Sequence, residues 1–221
     1  MHKIVDNLLS IQNGIKLKIK KLNQQNFNPN IVAVCKTFSM NHISPLINHG
    51  HIHFGENKIQ EALTKWTNIK QDFSQIKLHM IGKLQSNKVK FALSLFDYIH
   101  SLDNLKLAEK IAKEELKQNK KIKIFIQVNI GEEEQKNGVF PNKLESFYKI
   151  CSQDLGLNII GLMCLPPINK NVESYFAKML NLRNTVDLPD LSMGMSEDYL
   201  NALNYQANYL RIGSKIFGNR S

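Results

Sequence analysis

Two basic residues, Lys36 and Arg211, each stand at the end of a short apolar run that is typical of a buried strand. A charged lysine carries a large desolvation penalty inside a core, so Lys36 should emerge at the carboxyl end of its strand or be held there for a purpose. In a β/α barrel that end carries the catalytic face. The alternative is a solvated lysine that only closes a strand.

The predicted loops after strands seven and eight both combine glycine with serine: Gly194 with Ser196, and Gly213 with Ser214. Glycine lets backbone amides approach an anion closely, and Ser196 is expected where a helix begins, so that its hydroxyl and the free amides of the first turn point to the same place. These are the loops that most often bind phosphate in barrels. Either loop alone is explained by turns and caps, whereas both together favour phosphate.

Arg211 should lie near Lys36, because strand eight neighbours strand one in a closed barrel. A permanent cation there would lower the lysine pKa and favour an amine that attacks carbonyls. A phosphate site, a Schiff-base lysine and an arginine at one barrel mouth indicate a site for pyridoxal 5'-phosphate, whose ring needs a partner at its pyridine nitrogen.

At this point the chain resembles the pyridoxal phosphate homeostasis proteins, single-domain relatives of the alanine racemase barrel. The resemblance covers nearly the whole chain and rests on six motifs in the expected order: AVCKT (33–37), FGENKIQE (54–61), HMIGKLQSNK (79–88), GLM (161–163), LSMGMS (191–196) and RIGSKIFG (211–218). It implies that Lys36 forms the Schiff base, that Arg211 faces the pyridine nitrogen, that Ser196, Gly213 and Ser214 hold the phosphate, and that Asn57 lies beside the ring. Glu56 could equally cap a helix start and is not assigned to the site.

The chain departs from the family pattern at a few places. Cys35 stands where Ser or Thr is usual, Lys83 where His is frequent, and Ile160 where Arg is common. None of these departures touches the expected cofactor contacts. The segment 166–189 is shorter than usual, which could change a partner surface or the rim of the site.

Eight apolar runs alternate with helical patterns and predict an α/β fold, a single (β/α)8 barrel of the TIM type with an extra N-terminal helix over residues 2–23. The predicted strands are 31–36, 51–54, 77–82, 97–102, 122–128, 159–163, 190–193 and 209–212. The helices between them are expected at 43–48, 56–69, 86–95, 104–117, 141–152, 172–184 and 196–204. An open doubly wound sheet is the alternative, but no Gly-x-Gly-x-x-Gly follows any strand. With no linker or repeat, residues 1–221 are expected to form one domain.

Composition excludes several classes of protein. Net charge is +10, from 29 Lys and Arg against 19 Asp and Glu, but the lysines are spread over predicted helices, so we expect no specific nucleic-acid partner. No apolar run approaches the roughly 20 residues that span a bilayer. Three scattered cysteines indicate neither a disulfide framework nor a metal site, and the histidines lack paired-ligand spacing. We therefore expect a cytoplasmic protein without metal or membrane contacts.

Two functions of different class follow. The first is a carrier or buffer of pyridoxal 5'-phosphate in vitamin B6 homeostasis, without robust turnover, expected to be a monomer in transient contact with apo enzymes that use the cofactor. The second is an amino-acid racemase. Racemisation needs an acid/base group on each face of the cofactor. The related racemases take one of these from a tyrosine in a C-terminal β domain, and this chain ends ten residues after Arg211. The carrier is therefore favoured.

Overall fold

The computed structural model describes residues 2–167 and 171–218, so three residues of the segment 166–189 lie outside the described residues. Its centre is a closed barrel of eight parallel strands in chain order. The strands are β1 (Asn30–Val34), β2 (His53–Glu56), β3 (Lys77–Met80), β4 (Tyr98–Leu102), β5 (Lys123–Val128), β6 (Ile159–Cys164), β7 (Asp190–Ser192) and β8 (Tyr209–Ile212). This topology confirms the predicted (β/α)8 barrel and excludes the open sheet.

The helices are α1 (Lys3–Lys21), α2 (Met40–Asn48), α3 (Ile59–Trp66), α4 (Ile69–Asp72), α5 (Val89–Leu95), α6 (Leu105–Gln118), α7 (Leu144–Lys149), α8 (Val172–Thr185), α9 (Tyr199–Ala202) and α10 (Ser214–Phe217). Short 3-10 turns cover Ser86–Lys88, Pro141–Lys143 and Leu203–Tyr205, and a π-type turn covers Ile150–Asp154. Within the described part of the chain, no helix is both long and apolar enough to cross a bilayer.

β1 and β8 close the barrel. Val32 is paired with Arg211 and Ala33 with Ile212, so strand eight lies beside strand one as predicted. Each strand is short and apolar because a barrel strand is covered by other strands' side chains on one face and by helices on the other. The carboxyl ends of all eight strands therefore meet at one rim.

Side chains alternate between the interior of the barrel and the helical layer along each strand. Val32, Tyr98, Phe125, Met163 and Tyr209 come from five strands and pack together inside the barrel. A larger apolar core lies between the strands and the helices. This second layer keeps the strands in place and leaves the rim free for polar side chains.

The extra N-terminal helix α1 is present, as predicted. It buries a helix-period stripe that consists of Ile4, Val5, Leu8, Ile11 and Ile15. Its lysines lie on the exposed face or in the last turn, where cations interact favourably with the helix dipole. The lysine-rich start of the chain is thus a solvated helix face.

The main differences from the predicted elements are at their ends. The strand expected at 51–54 is shifted to β2, because Gly55 and Glu56 continue the pairing with His79 and Met80. The helix expected at 56–69 therefore begins only at Ile59 and is divided into α3 and α4.

The prediction that Ser196 begins a helix was wrong. The Asp198 carboxylate accepts the Met195 N–H at 2.6 Å and holds this segment as a turn, so α9 begins only at Tyr199. Residues 214–217, which follow the last predicted strand, form α10.

Candidate functional site

A cavity of about 670 Å³ lies at the carboxyl ends of the strands. All six residues predicted from the sequence line it: Lys36, Asn57, Ser196, Arg211, Gly213 and Ser214. Apolar side chains complete much of its wall, from Val34, Phe38, Ile81, Leu165 and Met195. The structure thus brings the six residues together, while their contacts with a ligand stay a prediction.

Arg211 lies at the floor of this cavity and is almost fully buried, with 4% of its surface exposed. Its register partner Val32 faces the barrel interior, and Arg211 points the same way. Nη1 donates a hydrogen bond to Ser192 Oγ at 2.7 Å, and Nη2 donates to the carbonyl oxygen of Cys164 at 2.8 Å. Burial lowers the pKa of Arg211. In addition, no acidic side chain within residues 2–167 and 171–218 forms a salt bridge with Arg211.

The loops after β7 and β8 are joined at Ser196. Its buried hydroxyl accepts hydrogen bonds from the backbone N–H groups of Gly213 at 3.3 Å and Lys215 at 3.4 Å. Gly194 has φ of +87°, and a Cβ there would come within 2.7 Å of a side chain of α9, so the turn requires glycine. Ser214 is exposed at the start of α10. Hydroxyl and amide groups of both loops therefore lie along one wall, as an anion site requires.

Asn57 follows β2 directly and lines the same cavity, with β1 between β2 and β8. A Cβ on Gly82 would collide with the Asn57 backbone, so glycine at position 82 allows the two loops to pack closely. The side-chain oxygen of Asn57 is buried and has no hydrogen-bond partner among the described residues. An unpaired buried acceptor is costly, and one at a cavity wall indicates a ligand that donates a hydrogen bond.

Comparison with known proteins gives the same family as the motifs. The family model described as "Alanine racemase, N-terminal domain" matches residues 12–221. The pyridoxal phosphate homeostasis protein of Aquifex aeolicus is 37% identical over 199 residues, or 86% of each chain. That of Haemophilus influenzae is 32% identical over 228 residues, which covers 99% of this chain and 96% of its own. This chain belongs to the pyridoxal phosphate homeostasis protein family.

Solved structures agree with this assignment. PipY of Synechococcus elongatus, solved without pyridoxal phosphate, has a TM-score of 0.80 and 31% identity, over 92% of this chain and 100% of its own. The same protein with pyridoxal phosphate bound has a TM-score of 0.78. Alanine racemase of Clostridium difficile has a TM-score of 0.73 at 13% identity, and this chain covers 57% of it. That last likeness shows the barrel fold alone.

In this member of the homeostasis family, three charged residues form a cluster behind the cavity: Glu56, Glu61 and Lys65, called the brace. Lys65 Nζ donates to Glu61 Oε1 at 2.6 Å and to Glu56 Oε1 at 3.0 Å. Glu56 is fully buried, and its Oε1 also accepts from Trp66 Nε1 at 3.0 Å. Burial by itself lowers the pKa of Lys65, but the hydrogen bond with Glu61 and the charge of Glu56 outweigh burial and raise that pKa.

The brace holds the backbone on both sides of Lys36. Lys65 donates to the carbonyl oxygen of Cys35 at 2.9 Å, and the Thr37 N–H donates to Glu61 Oε1 at 2.6 Å. Thr37 has φ of +70°, a backbone region that strains β-branched residues. The hydrogen bond to Glu61 therefore maintains an unfavourable conformation directly after Lys36.

The brace is not evident from the sequence, in which Glu56 has no assigned role. Glu56 is the last residue of β2 and points away from the cavity into the brace. The spacing of Glu61 and Lys65 by four residues is a visible signal for a helical ion pair. Their connection to β1 and β2 depends on tertiary packing, which that spacing does not contain.

The residues at the cavity fit pyridoxal phosphate. They supply an amine at Lys36, a guanidinium at Arg211, an unpaired acceptor at Asn57, and the hydroxyl and amide groups near Ser196. The described residues contain no group of three or more His, Cys, Asp or Glu side chains that could hold a metal ion. Among known cofactors, this donor set therefore suits a phosphorylated aldehyde with a ring nitrogen.

Proposed function

We propose that this protein binds pyridoxal 5'-phosphate through Lys36 and acts in vitamin B6 homeostasis as a carrier or buffer, without robust turnover of its own. The observation that carries the proposal is the single cavity that Lys36 and Arg211 share with the two glycine–serine loops. The bound cofactor in PipY and the names of the curated relatives support the same ligand.

When bound, the cofactor supplies a reactive aldehyde and an electron-withdrawing ring. Lys36 would bind the aldehyde carbon covalently through its Nζ, with the aldehyde oxygen leaving as water, and the brace limits where the Lys36 backbone can move. Ser196, Gly213 and Ser214 bind the phosphate, while Asn57 binds beside the ring. The loops then provide most of the non-covalent affinity, because hydrogen bonds to a charged group are roughly twice as strong as neutral ones.

Arg211 donates a hydrogen bond to the pyridine nitrogen in this proposal. A guanidinium does not readily lose a proton, so the ring nitrogen stays unprotonated and the ring withdraws electrons weakly. A site that binds the cofactor in this way holds it without strongly activating it. Arg211 therefore favours a carrier over a racemase.

The titratable side chains around the cavity also favour the carrier. Tyr205, Tyr209 and His79 are of residue types that could supply a second base, but none of them lines the described cavity; Tyr209 and His79 lie inside the barrel. The acids at the cavity are Glu197, which is exposed, and Asp198, whose carboxylate accepts the Met195 N–H. A missing acid/base group lowers a rate by roughly 10²–10⁴-fold.

The proposal extends to partners and location. We propose a monomer, one barrel domain over residues 1–221, that contacts apo enzymes transiently in the cytoplasm. Leu165 and Met195 lie at the cavity mouth with 42% and 39% of their surfaces exposed, which suits brief contact with another protein. Three buried, free thiols support a reducing compartment.

The test of binding is the absorption spectrum of the purified protein after incubation with pyridoxal 5'-phosphate. We expect a visible band that borohydride removes, with the label trapped on Lys36. The variant with both Ser196→Ala and Ser214→Ala should form the same band but release the cofactor faster. Failure of the unmodified protein to form the band contradicts the proposal.

The carrier and the racemase are separated by two further assays on the loaded protein. The carrier should reactivate an apo enzyme that depends on the cofactor. Incubation with L-alanine should yield no D-alanine above the level given by free pyridoxal phosphate. Steady racemisation well above that level would require a second base, and Asp198 would be the first residue to replace.

A further inference from the structure

A continuous chain of hydrogen bonds crosses the inside of the barrel beneath Arg211. Arg211 Nη1 donates to Ser192 Oγ at 2.7 Å, and Ser192 Oγ lies 2.8 Å from His100 Nδ1. His100 Nε2 lies 2.9 Å from His79 Nδ1, and His79 Nε2 lies 2.9 Å from His53 Nδ1. Five side chains from five strands are thus joined in series: those of β8, β7, β4, β3 and β2.

The interior of this chain is closed to solvent. Ser192, His79 and His100 are fully buried, whereas His53 is half-buried at the other end. Burial lowers the pKa of His53 to about 4 and the pKa values of His79 and His100 well below the usual range. All three rings are therefore neutral near pH 7, and each has one N–H donor and one acceptor nitrogen.

Neutral rings give the whole series one direction, because a ring that accepts at one nitrogen must donate from the other. Arg211 can only donate, so Ser192 Oγ accepts from it; because the described residues offer this hydroxyl no other acceptor, we assign its proton to the bond with His100 Nδ1. His100 must then carry its proton on Nε2 and donate to His79 Nδ1. By the same step His79 donates from Nε2 to His53 Nδ1, and the His53 proton lies on Nε2.

We propose that Ser192, His100, His79 and His53 are positioning residues for Arg211, joined in a one-way hydrogen-bond chain that stabilises its buried charge and fixes its orientation. Each member presents a lone pair toward the guanidinium, so the aligned dipoles favour a cation at that end. Hydrogen bonds in such a series also polarise one another. This hydrogen-bond chain takes the place of the carboxylate that commonly pairs with a buried arginine.

The His53 end of the hydrogen-bond chain reaches the mouth of the barrel opposite the cofactor cavity. His53 lines a second cavity of about 580 Å³ between β1, β2 and α1, with Lys16 and Gln25 among the other lining residues. The neighbouring His51 is not part of the chain, because its Nε2 is 2.9 Å from the carbonyl oxygen of His53. The orientation of Arg211 is thus connected to side chains on the face opposite the cofactor cavity.

The direction of the chain can be measured without any cofactor. Long-range ¹H–¹⁵N correlation spectra of the histidine-labelled, cofactor-free protein near pH 7 report which ring nitrogen carries the proton. We expect the proton on Nε2 in His53, His79 and His100. A proton on Nδ1 in any of them, or a cationic ring, would overturn the one-way chain.

Ser192→Ala tests whether the residues act as a unit. The variant should change the tautomer of His53 as well as that of His100, although Ser192 does not contact His53. Ser101→Ala is the matched control, because Ser101 is a buried serine on β4 whose hydroxyl has no hydrogen-bond partner in the described structure. A change confined to His100, or an equal change in both variants, would contradict the chain.

Cofactor affinity supplies the second readout, and this part rests on the proposed function. Ser192→Ala should raise the dissociation constant for pyridoxal 5'-phosphate about 10- to 100-fold, the effect of one lost hydrogen bond to a charged group. Ser101→Ala should leave the constant unchanged. If the unmodified protein does not bind the cofactor, the proposed function fails, whereas the tautomer order is still decided by the spectra. Unaltered affinity in a folded Ser192→Ala variant would overturn the positioning role.

Discussion

The brace makes Lys65→Met an informative substitution. The change keeps a long apolar side chain but removes the ammonium that lies 3.0 Å from Glu56 and 2.6 Å from Glu61. The side chain of Glu56 is completely buried, and that of Glu61 is 24% exposed. The variant therefore leaves one carboxylate without its counter-ion in the core and another near the surface.

The size of the effect follows from these two environments. Removing one partner of a buried pair costs about 3–5 kcal/mol, because the remaining charge is uncompensated. Trp66 and the Cys35 thiol still donate to Glu56, and water can reach Glu61, so the loss should stay within that range. Because the free energy of unfolding of a domain is about 5–15 kcal/mol, the variant should still fold, but its free energy of unfolding should be much smaller.

Urea unfolding followed by circular dichroism measures this loss in free energy. Lys149→Met is a matched control, because Lys149 pairs with Glu145 at 3.0 Å with the same four-residue spacing but on an exposed face. That control should cost no more than about 0.5 kcal/mol. Adding Glu56→Gln to Lys65→Met should restore part of the stability. A loss as small as that of the control, or no recovery in the double variant, would refute the reasoning.

The remaining predictions concern the cofactor and pH. Lys36→Ala should abolish the borohydride-trapped link yet retain some pyridoxal phosphate, since the loops still supply charge-assisted hydrogen bonds of about 1.5–3 kcal/mol each; complete loss of cofactor from a folded variant would show that they are not the anchor. Arg211→Glu should speed exchange of the α-proton of bound amino acids, because a carboxylate favours protonation of the ring nitrogen. An unchanged exchange rate with cofactor bound would show that Arg211 does not face the ring nitrogen. The urea midpoint should fall as pH drops from about 6.5 to about 4, because His51 and His53 take up protons in the unfolded chain at the usual pKa of 6.5, while burial holds their folded pKa values at about 4. A flat profile over that range would contradict the burial of these rings as neutral groups.

The barrel and the composition of its cavity could be predicted because both depend on local patterns. Eight apolar runs separated by helical patterns predict eight parallel strands, and such strands place their carboxyl ends at one rim. Lys36 and Arg211 follow from their position at strand ends, and the bounds of β8 match the prediction. The two glycine–serine loops follow from the same reasoning.

What the sequence could not predict depends on contacts between distant segments. The limits of β2 are set by its pairing with β3, and the turn that contains Ser196 is set by the hydrogen bond that the Asp198 carboxylate accepts from the Met195 N–H. The histidines of β2, β3 and β4 could be assigned to the core or to strand ends, but their series of hydrogen bonds depends on the register of three strands. Periodicity gives the face of a side chain and says nothing of its partner.

Cys35 and Lys36 follow β1 directly and point to different sides of the barrel wall, which gives them separate chemistries. The Cys35 thiol is fully buried and donates to Glu56 Oε1 at 3.3 Å, while burial, together with the Glu56 charge, raises its pKa well above the usual range. Lys36, one residue later, faces the cavity. A carbonyl compound that enters the cavity therefore meets a nitrogen nucleophile and is shielded from the adjacent sulfur. A serine or threonine hydroxyl could make the same hydrogen bond to Glu56. Because the Cys35 thiol is buried in the barrel wall, it takes no part in reactions within the cavity, and the site is selective for amine chemistry.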